Sequence, residues 1–109
     1  MINRVYILLL LTIAVACSSP CTNKESLAKF AHESATKLFP VPASVNFALD
    51  SVYSHNGNEI ARGRVTYTNA LGQGIGPVKY WIGINCDGGD ATLKFVDVDY
   101  GGPTWRAQD

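Results

Sequence analysis

Cationic and aromatic side chains alternate along two neighbouring stretches of the chain, in a pattern suited to recognition. Arg62 and Arg64 lie two residues apart, and Lys79 and Trp81 repeat this spacing in the next apolar stretch. A period of two places such residues on one face of a β-strand. Guanidinium groups beside an indole ring are typical of protein-interface anchors. A solvated sheet face is the simpler interpretation; the alternative is a partner-binding face that contains Arg62, Arg64 and Trp81. Trp105 is expected either to add to this face or to pack over an edge of the core.

No combination of residues typical of a catalytic site stands out. His32 and His55 lie about twenty residues apart, and no pattern brings either beside a nucleophile or carboxylate partner. The glycine-rich stretch 72–76 lacks the Lys-Ser/Thr pair of a phosphate-binding loop, and a strand rather than a helix is expected after it. We therefore expect no catalytic residues, no enzyme activity and no cofactor.

Aspartates near the end of the chain form its main concentration of possible metal ligands. They are Asp87, Asp90, Asp97 and Asp99. Calcium takes about six to eight oxygen ligands at defined spacing. Asp87 and Asp90 fit a turn more simply, and Asp97 and Asp99 fit a strand end, so no metal site is expected.

The start of the chain has the pattern of an export signal. Arg4 precedes an apolar stretch that ends in small side chains immediately before Cys17. This stretch has about twelve residues, whereas a membrane-spanning helix needs about 20. We therefore predict a signal peptide over residues 1–16 rather than a transmembrane anchor.

The residues that end this segment, Ile13-Ala14-Val15-Ala16-Cys17, resemble the lipobox of bacterial lipoproteins, although Ala14 stands where leucine is usual. The resemblance implies a palmitate-type lipid on Cys17 and attachment to a membrane of the bacterial cell envelope. Ser18 after the cysteine implies, by the same resemblance, an outer membrane location facing the periplasm. The alternative is a general signal peptidase site, because Ala14 and Ala16 also suit that enzyme, and Cys17 would then stay unmodified.

The remaining cysteines suggest a disulfide bond. The chain has three cysteines, so that lipid on Cys17 would leave Cys21 and Cys86 as a pair. Such a pair would oxidise in an exported protein, and closing its loop would stabilise the fold by about 4 kcal/mol. The alternatives are a free thiol and an intermolecular bridge.

Length and charge limit the chain to one small domain. Removing residues 1–16 from 109 residues leaves 93, which suits one domain rather than two. The chain has nine basic and nine acidic residues, and loss of Arg4 leaves eight against nine, a formal charge of −1. No basic patch stands out, so nucleic-acid binding is not expected. We predict a lipid anchor and tether over 17–22 and a single domain over 23–109.

The spacing of apolar residues changes once along the mature chain. Apolar residues at three- and four-residue spacing predict a helix over 23–38, for which Thr22 and Glu25 form a capping-box pattern. A period of two then predicts strands near 45–54, 59–68, 78–86 and 91–98, with an Asn56-Gly57 hairpin turn, a loop over 69–77 and an irregular tail. The predicted fold is α+β, with one N-terminal helix packed on a four-stranded antiparallel meander sheet.

Several short motifs support this order. They are Pro42-Ala43-Ser44-Val45-Asn46-Phe47, Gly63-Arg64-Val65, Asn69-Ala70-Leu71-Gly72 and Pro77-Val78-Lys79-Tyr80. Together they resemble a loose group of small, uncharacterised exported bacterial proteins in which a helix precedes a four-stranded sheet. Leu71 stands where that group usually has an aromatic residue. The resemblance covers roughly residues 25–85 and implies the fold order but no activity.

These patterns together favour a membrane-anchored envelope lipoprotein that acts as a non-catalytic binding or structural module. The expected partners are the membrane, through lipid on Cys17, and a protein. The alternative is a small exported inhibitor, immunity or exclusion protein that blocks a hydrolase, a toxin or a receptor. The glycine-rich loop over 69–77 or the face of Arg62 and Trp81 would then make the contact.

Overall fold

The computed structural model describes residues 20–107 and has one helix followed by a five-stranded sheet. The strands are ordered β1-β2-β3-β4-β5, and each pairs antiparallel with the next, which makes a meander. The α+β class is therefore confirmed, with one strand more than predicted. Cys17 and the signal segment lie outside the described residues. The elements are α1 (Lys24–Thr36), β1 (Asn46–His55), β2 (Asn58–Thr68), β3 (Gly74–Asn85), β4 (Thr92–Val98) and β5 (Thr104–Arg106).

The helix begins one residue later than the capping-box pattern indicated. Asn23 is the N-cap, and its side-chain oxygen accepts a 2.8 Å hydrogen bond from the Ser26 N–H. An asparagine oxygen satisfies one of the free N–H groups of the first turn as well as the predicted threonine would. After Thr36 the chain tightens, because Leu38 donates its N–H to the Ala35 carbonyl. No helix among residues 20–107 is long and apolar enough to cross a membrane.

The core lies between α1 and one face of the sheet, which we call the inner face. The helix contributes one stripe of small and medium side chains, which allows it to approach the strands closely. The strands contribute larger side chains at alternate positions, and the opposite side of the sheet, the outer face, carries the residues between them. The fully enclosed core residues are Ala31, Ala35, Ala61, Val65, Tyr80, Ile82, Ile84 and Val96.

The hairpin between β1 and β2 has the turn that its sequence predicts. Asn56 and Gly57 both have positive φ, 51° and 80°. Two successive residues in this region make a type I′ turn, whose twist matches that of the paired strands. His55 consequently pairs with Asn58 at the end of the ladder.

The predicted loop over 69–77 is shorter in the structure. β3 begins at Gly74, and residues 74 and 75 pair with Thr68 and Tyr67 before the register shifts. Gly76 has a φ of 117°, and a Cβ there would lie 2.5 Å from the Val65 carbonyl oxygen. Residues 74–77 were not predicted as strand because their two glycines and one proline interrupt the alternating apolar pattern.

The tail, predicted to be irregular, forms β5 at the edge of the sheet. Trp105 pairs with Val96, and Thr104 pairs with Asp97. The prediction of four strands was therefore wrong. A strand of three residues is too short to show a period, and it exists because β4 offers an edge to pair with.

The predicted disulfide joins Cys21 to Cys86 across 65 residues of sequence. Cys21 lies in a 3-10 turn at Pro20–Thr22, immediately before α1, and Cys86 follows the last residue of β3. The Cα atoms are 6.1 Å apart, within the ordinary range for a bridge. The bond ties the start of the helix to the end of a central strand.

Candidate binding face

The predicted cationic and aromatic residues come together on the outer face of the sheet. Arg62 pairs directly with Trp81, and Arg64 pairs directly with Lys79, across β2 and β3. The flanking residues Ala61 and Val65 are enclosed in the core. Since side chains alternate along a strand, the four residues project together on the side away from the helix.

Arg62, Arg64 and Lys79 form no direct ion pair in the part of the chain that the structure describes. The side chains of Arg62, Arg64 and Lys79 are exposed, and no hydrogen bond or ion pair between residues 20–107 holds any of them. Directly opposed like charges, as in the Arg64–Lys79 pair, destabilise a sheet. An anionic group placed between them would relieve that repulsion.

These cations line a cleft of about 250 Å³ together with Asp50, Gly63, Tyr80 and Trp81. Asp50 is the extra residue of a β-bulge, since the β1–β2 register shifts between Leu49 and Ser51. The bulge brings the carboxylate of Asp50 to the rim of the cleft. Three cations against this one carboxylate leave the lining with a net positive charge.

Gly63 lies in the floor of the cleft, where the backbone of β1 passes too close to leave room for a side chain. A Cβ at this position would lie 2.1 Å from the Ala48 carbonyl oxygen and 2.9 Å from the Asp50 nitrogen. The obstacle is the backbone of the bulged β1 strand, which cannot move aside as a side chain would. The cleft therefore depends on glycine at 63 and on the bulge at 50.

The neighbouring acidic residue Asp97 is already paired. Asp97 lies opposite Trp81 on β4, where Arg106 of β5 donates two hydrogen bonds of 3.0 Å to its carboxylate. The guanidinium carbon of Arg106 also lies 5.0 Å from the centre of the Phe95 ring. Because Asp97 forms an ion pair with Arg106, its carboxylate is not available to neutralise Arg62.

Trp105 does not belong to this face. It pairs with Val96, which is enclosed in the core, and its half-buried ring packs against the core cluster on the inner face. Its inclusion with Arg62, Arg64 and Trp81 is therefore corrected: the structure places it on the opposite side of the sheet. The alternative, packing over an edge of the core, describes its position.

His32 joins the helix to the sheet. Its Nε2 atom lies 2.6 Å from the Tyr80 hydroxyl oxygen, and its ring stacks on Phe47 with centroids 4.3 Å apart. Burial lowers the pKa of His32 and raises the pKa of Tyr80, which the charge of Asp50 raises further. Both groups are therefore neutral near pH 7, and in the Nδ1–H tautomer of His32 the Tyr80 hydroxyl donates to Nε2.

The other titratable residues considered from the sequence do not converge on one site in the described chain. His55 is at the exposed hairpin turn, where its Nε2 atom lies 3.2 Å from the Asn56 amide nitrogen. Asp87 and Asp90 belong to the turn between β3 and β4, where the Asp90 N–H donates to the Asp87 carbonyl. Within residues 20–107 no three His, Cys, Asp or Glu side chains are grouped so that they could share a metal ion.

A second exposed feature lies at the end of the sheet where β3 begins. Leu71, at the tip of the 69–73 loop, is 83% exposed, and Tyr100, after β4, is 86% exposed. Between these loops lies a shallow cleft of about 370 Å³ lined by Leu38, Pro40 and Tyr67, among others. Periodicity does not reveal the exposure of Leu71 and Tyr100, because both residues lie outside the alternating segments.

Comparison of the chain with protein-family models, curated proteins and solved structures gives no significant match.

Proposed function

We propose that this protein is an exported, lipid-anchored binding module whose outer sheet face recognises an anionic group of a protein partner. The observation that carries the proposal is the set of Arg62, Arg64 and Lys79 beside Trp81, which form no ion pair with any residue between 20 and 107. A sheet gains nothing in stability from opposed cations, so their placement is better explained by a ligand. The net charge of the cleft makes that ligand acidic.

The surrounding residues fit recognition better than catalysis. Arg62 and Arg64 present planar donor groups that suit carboxylates, and the half-buried Trp81 offers a rigid apolar surface next to them. No histidine, cysteine or serine belongs to the lining of this cleft. The lining can therefore bind an acidic group and fix its orientation.

The export part of the proposal rests on the segment that ends at Cys17 and on the disulfide. Cys21–Cys86 suits an oxidising compartment such as the periplasm. If Cys21 is bridged and Cys17 is acylated, residues 18–20 are the whole tether, with a reach of about 10 Å. The partner would then lie at the membrane or within the same envelope compartment.

A titration with a short oligoglutamate peptide at low salt tests the anionic face. We expect shifts in the NMR amide signals of Arg62, Arg64 and Lys79 and in the Trp81 indole signal. The double variant Arg64→Gln, Lys79→Gln should bind about tenfold more weakly, because it removes two charge-assisted contacts at an exposed site.

The matched control is Lys24→Gln, Lys29→Gln, which removes the same charge from exposed positions of α1. It should bind oligoglutamate as the unmodified protein does. Equal weakening by both pairs would mean that only net charge matters, and would contradict a specific face. An oligolysine peptide that shifts the same signals would contradict it too.

A second candidate function, inhibition of a hydrolase, toxin or receptor, is favoured by the 69–73 loop. The Asn69 side-chain oxygen accepts hydrogen bonds from Leu71 at 3.0 Å and from Gln73 at 2.9 Å. The Asn69 N–H also donates to the Gln73 carbonyl at 2.9 Å. The loop therefore presents the exposed Leu71 in one conformation, and such preorganisation reduces the entropy lost on binding.

Site-specific crosslinking separates the two candidates. A photoreactive residue at position 71 and another at position 81 would be compared in intact cells. Crosslinks to one defined protein from 81, and not from 71, support the anionic face. The reverse result supports the inhibitor, and Leu71→Ser should then abolish that complex while Ala70→Ser, at the neighbouring exposed position, leaves it intact.

A further inference from the structure

One long edge of the sheet has no backbone partner in the described chain. β1 is the first strand in the sheet order, has ten residues and pairs only with β2. Between residues 20 and 107, no backbone hydrogen bond reaches it from outside the β1–β2 ladder. The other edge, β5, has three residues. An open edge of ten residues offers a row of free N–H and C=O groups to an extended chain.

The hairpin turn determines which backbone groups point outward. His55 and Asn58 flank a two-residue turn, so they exchange both hydrogen bonds with each other. Hydrogen-bonded and non-hydrogen-bonded pairs then alternate along an antiparallel ladder. Ser54 and Val52 belong to the second kind, and their N–H and C=O groups face away from β2.

The side chains of β1 leave the cationic cleft open toward this edge. Ala48 pairs with Arg64, and Ser51 pairs with Arg62, so these two short side chains lie between the arginines and the edge. A strand added beside β1 would lie two strand spacings, about 10 Å, from β2. An arginine and a glutamate side chain together span that distance over Ala48 and Ser51. The bulged Asp50 lies between these two positions, and its single negative charge is outweighed by the three cations of the cleft.

Two large side chains of β1 are exposed because β1 has a neighbouring strand on one side only. Leu49 on the inner face is 43% exposed, and Tyr53 on the outer face is 39% exposed. An added strand would cover both, because each would gain cross-strand neighbours on its own face. The edge therefore combines free backbone groups, uncovered apolar area and nearby positive charge.

We propose that β1 binds an extended segment of the protein partner as an added strand, with acidic side chains of that segment reaching Arg62 and Arg64. Backbone pairing along residues 51–55 would supply affinity, and the cations would select acidic sequences. This proposal rests on the anionic face proposed above and adds the conformation and position of the ligand. The partner segment would form backbone hydrogen bonds with the free edge of β1, opposite the edge that pairs with β2.

The test uses the whole exported domain and a synthetic peptide of alternating threonine and glutamate. Two N-methylated isomers of the peptide, one methylated on the threonine amides and one on the glutamate amides, keep the same charge. Only alternate amides of an added strand face β1, so one isomer should lose binding and the other should retain it. Equal affinities of the two isomers would overturn strand addition.

A pair of protein variants tests the same contact from the other side. Ser54→Pro removes an outward N–H from the edge, where proline is tolerated, and we expect about tenfold weaker peptide binding. Ser54→Ala loses the side-chain bond to Glu59 but keeps the N–H, and it should bind normally. If Ser54→Pro does not fold, binding of the two N-methylated isomers to the unmodified protein still tests strand addition.

The outcomes separate this proposal from the anionic face. If Arg62→Gln, Arg64→Gln weakens binding while Ser54→Pro and both isomers bind equally well, the added strand is overturned and the anionic face remains. If an alternating threonine–lysine peptide binds as tightly as the glutamate peptide, both are overturned. If the protein instead dimerises through β1, and Ser54→Pro prevents it without any peptide binding, a second copy is the occupant and the acidic partner is overturned.

Discussion

At the residue scale, Gly63 is the position on which the shape of the cleft depends most directly. Its neighbours within 3.0 Å of an added Cβ are all backbone atoms of β1, residues 48–50. By contrast, a Cβ at Gly74 would meet nothing within 4 Å. Substitution by alanine at Gly63 and at Gly74 therefore compares a crowded position with an open one.

We predict that Gly63→Ala lowers the free energy of unfolding by about 1–3 kcal/mol, because overpacking forces β1 away from β2. Gly74→Ala should change it by no more than about 0.5 kcal/mol. Urea denaturation measures both variants. A Gly63→Ala protein as stable as Gly74→Ala would show that β1 can shift without cost, and that the cleft is not held by this contact.

His32 couples protonation to stability at the same scale. Burial lowers its pKa in the folded protein below the ordinary value of 6.5. The unfolded chain therefore binds more protons than the folded chain as the pH falls through this range, so acid favours unfolding. The stability that the neutral imidazole contributes is complete above pH 6.5 and is lost progressively below it.

We predict that the free energy of unfolding falls as the pH is lowered below about 6.5, and that His32→Gln flattens this dependence. His55→Gln, at the exposed turn, is the control and should leave the slope unchanged. The measurement is urea denaturation at several pH values. If the pH dependence persists in His32→Gln and disappears in His55→Gln, His55 rather than His32 causes it, and the prediction is wrong.

At the scale of elements, the two tryptophans illustrate the division of the sheet into two faces. Trp81 lies on the outer face, between Arg62 and Asp97 in its row. Trp105 lies on the inner face opposite Val96 and holds β5 against the core. The same residue type therefore serves recognition in our proposal at one position and packing at the other.

We predict that Trp105→Ala costs about 2 kcal/mol of stability, since it exposes the edge of the core, and that it leaves oligoglutamate binding unchanged at temperatures where it is folded. Trp81→Ala should cost less than about 1 kcal/mol and weaken oligoglutamate binding several-fold. Thermal melts and the peptide titration give both numbers. Weaker binding by Trp105→Ala alone would reverse the assignment of the two faces.

At the scale of the whole molecule, the chain has two distinct ends. The disulfide, the start of α1 and the β1–β2 hairpin share one end, where Ser54, Gly57 and Cys86 line a common cleft. The 69–73 loop is at the other end of β3, a strand of twelve residues that spans about 40 Å. A lipid on Cys17 would place the disulfide end against the membrane and turn Leu71 away from it.

We predict that the mature protein is recovered from membranes with Cys17 as its first residue and with the added mass of a diacylglycerol. Reduction should add the mass of the hydrogen atoms that open Cys21–Cys86. Intact-mass spectrometry of membrane and soluble fractions, with and without reductant, measures both changes. Cys17→Ser should move the protein to the soluble fraction. A soluble, unmodified Cys17 in the original chain would contradict the anchor and favour a diffusible inhibitor.

Much of the fold follows from local patterns that need no knowledge of distant contacts. The helix shows its apolar stripe within four turns, and the Asn56-Gly57 dipeptide suits positive φ at both residues. Alternation along β2 places Arg62 and Arg64 on one face in any antiparallel sheet. The Cys21–Cys86 pairing follows from an odd cysteine count once Cys17 is set aside.

The remaining features were decided by tertiary structure. β5 has three residues and forms only because β4 presents an edge, so Trp105 packs on the inner face. The bulge at Asp50 depends on how β1 fits over Gly63, and the His32–Tyr80 bond joins residues 48 positions apart. Periodicity reports which face a residue occupies within its own element. Pairing, register and close approach depend on the packing of elements against one another, and these complete the cleft.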